Sequence, residues 1–425
     1  MIKYFNLPSI KKLLFPLFLF FLLYYTKQLG FLFYNSTNSP DFSNYFEYIE
    51  YFSGYQNSTN NEQGLIYYYI HYLNLYFSTV NTELPSMSIL VHKSIQNVNF
   101  YIFIFGLVGY YLLLDFFTFS KSTIYGILIF LSLFPVLIAG RLIFKPEILA
   151  ISIFPWLIYC LEKYLEKGKI KFIICLIPLL VIILTLKGSI LGIVSFILGT
   201  FYLGKVYKKN RKYFKFYFLT FVILFLFISF ENNTANNRNI LDLTSGSVRE
   251  AKYDNKANID VIYKLNLYNL VSSPIKHDHA GSFLGITLLD TFGDYFDLYW
   301  NNDNSNFSKD RKEVLVFEEN KKIKLPKFSF DQKKITFYLQ NLTETYPRKF
   351  LGLLFSLLFY FNLFKYLFKW NEYSKFLSFG LIGVSLVIIH IISGYPSNNY
   401  DPYTSDTLKP YYYSFVLVFS LVFLL

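Results

Sequence analysis

Charge is scarce in this chain. Only 16% of its 425 residues are Asp, Glu, Lys or Arg, while 54% are hydrophobic and 22% aromatic. Soluble domains carry roughly 25% charged residues, so the composition argues against one. Cysteine is almost absent. Cys160 and Cys175 both fall inside apolar segments, so no disulfide framework or zinc pattern is readable. A phosphate-cradling Gly-rich loop, a dinucleotide fingerprint, a Ser-His-Asp order and a nucleic-acid module are also missing. Acids are outnumbered by bases, 28 to 40, for a formal charge of +12. In a membrane protein such an excess gathers on cytoplasmic loops and sets orientation, so it implies no nucleic-acid partner.

What the sequence has is long apolar runs, several approaching the ~20 residues that cross a ~30 Å hydrocarbon core. Residues 13 to 34 follow Lys3, Lys11 and Lys12 and read as a retained first span with a cytoplasmic N-terminus. Residues 35 to 98 contain one basic residue, Lys93, against five acids, which places this loop outside. Within it Phe42, Tyr45, Phe46, Ile49 and Phe52 recur at helical spacing, as do Leu65, Tyr68, Tyr69, Tyr72 and Tyr76. Two amphipathic helices lying along the membrane interface are expected there.

Further apolar runs at 98 to 118, 123 to 140, 148 to 161, 172 to 186, 189 to 204 and 216 to 230 alternate in direction, with basic turns marking the inside. Residues 231 to 348 are the long polar stretch, expected as an extracytoplasmic loop domain, and residues 349 to 425 return to transmembrane helices. The expectation is an all-α polytopic membrane protein: about ten spans, a core over 1–230 with its first outer loop at 35–98, and a loop domain over 231–348.

The outward turns carry charges that a bare anchor does not need. Arg141, Lys145 and Glu147 flank Pro146, Lys187 sits between two apolar runs, and Lys409 precedes the last span. Ionisable groups at membrane depth are costly and mark sites or pairs. The plainer alternative is that Arg141 and Lys145 snorkel while Glu147 favours its helix N-terminus. Asp41 stands just after the first span, in Ser39-Pro40-Asp41, which is also an ordinary helix start. A helix start fixes a carboxylate in place and is compatible with catalysis.

These residues resemble a family. An acid in the first outer loop, two interfacial helices and an Arg/Lys-Pro-Glu turn before a later span look like the GT-C superfamily of polytopic glycosyltransferases, such as protein O-mannosyltransferases and the aminoarabinose transferase of lipid A. The resemblance covers the order of elements over residues 1 to about 230. The chain departs from the common pattern in lacking an Asp-Glu pair, since Phe42 follows Asp41 and Glu47 is the next acid. The resemblance implies a polyprenyl-phosphate sugar donor, a lipid, glycan or protein acceptor, and inverting transfer of a hexose or pentose. Asp41 would be the base, and Tyr45, Glu47, Arg141, Lys145, Glu147, Lys187, Asp294 and Lys409 would contact substrate.

Asp290, Asp294 and Asp297 have helical spacing and are candidate ligands for a divalent cation or for sugar hydroxyls; otherwise they form the polar face of an interfacial helix. His277-Asp278-His279 is a weaker metal candidate, because residues two apart do not share a helix face. Two other readings compete: a transporter or flippase of lipid-linked sugars, and a polysaccharide polymerase or ligase. The first calls for repeats and broken segments near the midplane. The second calls for an arginine motif in an outer loop, whereas Arg238, Arg249 and Arg311 are scattered.

Overall fold

The computed structural model describes residues 7–33, 42–57, 64–78, 89–209, 222–223, 226, 262, 265–272, 282–292, 346–367, 373–392 and 413–425. Among these residues every regular element is a helix and there is no strand. Two compact units share the chain. The first comprises Met1–Ala251, Asn371–Gly383 and Tyr412–Leu425; the second comprises Lys252–Trp370 and Val384–Tyr411.

The helices of the first unit run α1 (Leu7–Phe33), α2 (Phe42–Phe52), α3 (Leu65–Ser78), α4 (Ile89–Phe116), α5 (Lys121–Leu133), α6 (Pro135–Leu142), α7 (Glu147–Lys167), α8 (Ile170–Thr185) and α9 (Gly188–Ile197). A π-turn (Leu198–Leu203) and α10 (Gly204–Lys209) continue α9. Three helical stretches are long and apolar enough to cross a membrane: Val91–Phe116, Glu147–Lys167 and Gly188–Lys209. A fourth candidate is the pair Lys121–Leu133 and Val136–Leu142, bent by 63°. The run expected at 123 to 140 is therefore two helices, broken before Pro135. Proline lacks the N–H that would continue the ladder and disfavours helical geometry in the residue before it.

At the centre lies α7, apolar on all sides and buried over most of its length. It starts at Pro146 and stops at Gly168, whose φ of +64° is the left-handed conformation that ends a helix at little cost. Against it packs α4, at a distance that only small residues allow. A Cβ on Gly106 would lie 2.7 Å from Ser152 Cα, and one on Gly109 would lie 2.6 Å from Trp156 Cδ1. Close approach of this kind is how helices gain van der Waals contact in lipid, where no hydrophobic drive joins them. Trp156 Nε1 donates to Phe105 O at 2.8 Å across the same seam.

Two C-terminal helices complete this unit: the first part of α14 (Ser374–Ile392) and α15 (Ser414–Leu424). Phe154 of α7 meets Phe415 and Phe419 edge-on, with centroids 5.0 and 4.9 Å apart. Ser420 Oγ accepts from Gly380 N at 2.9 Å and donates to Phe376 O at 3.0 Å, a polar stitch between apolar helices. At the end of α7 away from Glu147, Glu162 Oε1 accepts from Tyr202 of the π-turn and from Lys375 of α14, each at 2.7 Å. That link ties three elements at the side on which the basic turns lie.

The second unit contains α11 (Leu267–Ser272), α12 (Phe283–Asp290) and α13 (Tyr346–Leu367), joined by Leu270, Leu289 and Leu353. Ser282 caps α12, its hydroxyl accepting from Gly285 N at 3.0 Å. Thr291 and Tyr360 hydroxyls meet at 2.9 Å. The helix expected to carry Asp290, Asp294 and Asp297 falls mainly outside the described residues; Asp290 ends α12 instead.

The amphipathic helices expected in the first outer loop are present as α2 and α3; α2 buries the expected stripe of Phe42, Tyr45, Phe46 and Ile49, whereas the buried face of α3 differs from the expected one. Tyr69 and Tyr76 are exposed, while Tyr67, Tyr68, His71 and Leu75 are buried. Counting histidine as polar hid this stripe. Both helices pack into the unit as well as covering it: Tyr48, Tyr67 and Tyr68 are fully buried.

A polar nest around the Pro146 turn

The turn from α6 to α7 is held by one side chain of α4. Asn99 donates through Nδ2 to Ile143 O at 2.8 Å, and its Oδ1 accepts from Tyr67 OH at 2.9 Å. One amide thus fixes the turn and joins it to α3. Phe144 presents its ring to Phe42, Tyr67, Tyr68 and His71, with centroids 6.0, 5.7, 5.3 and 5.0 Å away. Tyr68 is stacked on Tyr48 at 4.2 Å and tilted against Tyr45 at 5.7 Å. Aromatic faces from α2 and α3 therefore enclose the turn.

Glu147 lies at the first position of α7, where a carboxylate suits the helix N-terminus. Its Oε1 accepts from Lys187 Nζ at 2.9 Å, with side chains 1% and 7% exposed respectively. Lys187 occupies the break between α8 and α9, in extended backbone with φ −164°. Its charge is matched by Glu147. Glu147 Oε2 and Tyr68 OH are both buried and without a hydrogen-bond partner among the described residues. Burial, with Glu147 nearby, pushes both the Tyr67 and the Tyr68 phenols well above the ordinary range, so each remains a neutral hydroxyl able to donate.

The α3 end of this nest is pinned by Gly64, whose N–H donates to Leu186 O at 3.0 Å. A Cβ there would fall 1.8 Å from Thr185 O, so no larger residue fits this backbone contact. Gly64→Ala is expected to push α3 away from the Lys187 break and to cost about 1–3 kcal/mol, read as a lower melting temperature.

Arg141 is 6% exposed. Nε and Nη2 donate to Leu137 O at 3.1 Å and Ser132 O at 2.7 Å, and its Cζ lies 4.6 Å from the Phe103 centroid. Snorkelling is therefore not its state; it is built in. Lys145 is 8% exposed in the same turn, its backbone N–H bonded to Ile143 O at 3.1 Å. Of the residues singled out from sequence, Tyr45, Lys145, Glu147 and Lys187 gather around the Phe144–Tyr68 nest, and Arg141 is a turn away. Glu47 is half-buried on α2, where burial and then Glu50 raise its carboxyl pKa. Asp41, Asp294, Lys409 and the 277–279 cluster lie outside the described residues.

Sequence reasoning missed His71, Asn99 and Gly64. The polar run Gln96-Asn97-Val98-Asn99 at the mouth of a span was the available signal. Among the described residues no group of three His, Cys, Asp or Glu is placed to hold a metal.

His71 is fully buried, and that burial lowers its pKa from the ordinary 6.5 to about 3, with Asn99 opposing the shift. The folded form is neutral, and the unfolded chain takes up a proton first as pH falls. Stability is then fully present above the unfolded value and declines below it. Going from pH 7.5 to pH 5 should cost about 2 kcal/mol, seen as faster hydrogen exchange in α3. His71→Phe should remove that dependence.

No family model, no curated protein and no solved structure matches this chain.

Proposed function

We propose that this chain is an inverting glycosyltransferase of the GT-C kind, moving a hexose or pentose from a polyprenyl-phosphate donor to an acceptor hydroxyl on the outer face of the membrane. The observation that carries this reading is the buried charged turn Arg141–Glu147, closed over by α2 and α3. Buried ionisable groups are expensive in a membrane protein, and an anchor has no use for them. Phe42, next in sequence to Asp41, packs on Phe144 of that turn.

In the proposed reaction Asp41 takes the proton of the acceptor hydroxyl as its oxygen attacks the anomeric carbon. The bond from that carbon to the phosphate oxygen breaks, the configuration inverts, and polyprenyl phosphate leaves. Cationic groups of the turn, Arg141 and Lys145 first, stabilise the charge on the leaving phosphate. Tyr45 and Glu47 of α2, with Glu147 held by Lys187, contact the sugar or the acceptor. Asp294 is assigned to sugar hydroxyls or to a divalent cation.

The reading also includes about ten spans. The reading counts as nine of them the three long helices, the bent pair, and the shorter apolar helices Leu14–Gly30, Ile170–Thr185, Leu351–Lys365, Ser374–Ile389 and Ser414–Leu424. Residues 216 to 230 supply the last. The N-terminus is then cytoplasmic, residues 231–348 form an extracytoplasmic loop domain, and the protein sits in a bacterial inner membrane.

One observation favours a transporter of lipid-linked sugars instead. The 63° break between Lys121–Leu133 and Val136–Leu142 resembles the discontinuous helices that transporters use. Purified protein in vesicles with labelled polyprenyl-phosphate sugar separates the readings. Transfer predicts release of polyprenyl phosphate with an inverted product; movement of intact donor across the bilayer sinks the transferase.

A further inference from the structure

A narrow cleft between α1, α4 and α6 is lined by Thr26, Lys27, Gln96 and Arg141 together with three apolar residues, and none of the lining residues is an acid. Lys27 comes from the first span and Arg141 from the end of α6, and α1 approaches that end closely. A Cβ on Gly30 would lie 2.4 Å from Leu142 Cδ2. The Lys27 amine donates to Asn97 Oδ1 and lies 5.1 Å from the Phe100 centroid. The orientation of Arg141 is set by the carbonyls of Leu137 and Ser132, which take Nε and Nη2. Nη1, buried, has no partner among the described residues. Neither cation forms an ion pair among the described residues. Two like charges facing one low-dielectric cleft repel each other, and an anion between them relieves the cost.

We infer that Lys27 and Arg141 together form a phosphate site, with Lys27 of the first span acting as the second cation beside Arg141. A guanidinium with an unpartnered nitrogen and an ammonium held by a single amide oxygen is a donor set suited to phosphate oxygens. The pair also matches the change in charge during transfer. The donor phosphodiester carries one negative charge, whereas the departing monoester approaches two. Identification of the lipid as polyprenyl rests on the proposed transferase function; the phosphate site does not.

Binding to the full-length protein in nanodiscs tests this, with polyprenyl phosphate, polyprenol and inorganic phosphate as probes and Lys27→Gln, Lys27→Arg and Arg141→Gln as variants. Lys27→Gln and Arg141→Gln should each weaken polyprenyl phosphate at least tenfold, leave polyprenol unchanged, and Lys27→Arg should retain binding. Weakening with polyprenyl phosphate alone assigns the site to a lipid-borne phosphate. Weakening with inorganic phosphate as well assigns it to phosphate itself, and both results support the site. Equal affinity of wild type and Lys27→Gln for both phosphates overturns it. So does equal weakening for polyprenol, which would report lost packing and not lost charge. A wild type that binds phosphate through Lys27 but transfers no sugar leaves the site standing and removes the transferase.

Discussion

Lys187→Met should destabilise the protein by about 3–5 kcal/mol. Lys187 and Glu147 are each more than nine-tenths buried and meet at 2.9 Å. Removing the ammonium leaves a carboxylate in an apolar enclosure, with Oε2 already lacking a partner among the described residues. The buried charge is then uncompensated, beside the α8–α9 break against which Gly64 is docked. The double variant Glu147→Leu/Lys187→Met is the informative control. With both charges gone, most of the stability should return, because an apolar replacement of a buried pair is often neutral. Melting temperatures of the singles and the double give the coupling. If the double is as unstable as Lys187→Met, the pair matters for shape and not for charge. A stable double that has lost transfer would show that the nest is retained for chemistry.

Much of the helical order was readable from apolar runs and turns. Pro146-Glu147 starts α7 and Gly168 ends it, as a proline at a helix entry and a glycine past an exit should. The first-loop helices were readable from spacing. What was not readable was their depth. A stripe of Tyr67, Tyr68 and His71 looks interfacial because its residues have polar tips, and only the packing of Asn99 and Phe144 against it turns that face inward. The 123 to 140 run reads as one span by hydropathy, and its break required giving weight to a single proline. Periodicity cannot say which charges meet. Glu147 and Lys187 are forty residues apart and pair because α7 and α8 run side by side. Nothing in the sequence singles out Lys27, which meets Arg141 only because α1 and α6 line the same cleft.

Loss of the base should have a still larger effect, on rate and not on folding. Asp41→Asn keeps the size of the side chain and its capacity for hydrogen bonds while removing the group proposed to take the acceptor proton. General-base assistance contributes about 10²–10⁴-fold, so transfer should fall by that factor while insertion and melting temperature stay near those of the wild type. Asp41 begins the segment that leads into α2, and the Phe42–Phe144 contact should persist in the variant.

Transfer from a radiolabelled polyprenyl-phosphate sugar pool, compared between wild type and Asp41→Asn at matched levels of inserted protein, tests the central claim most directly. The account predicts label in product for the wild type and at least a hundredfold less for the variant. Equal transfer by the two would contradict it, leaving Asp41 as the start of a helix and the chemistry elsewhere.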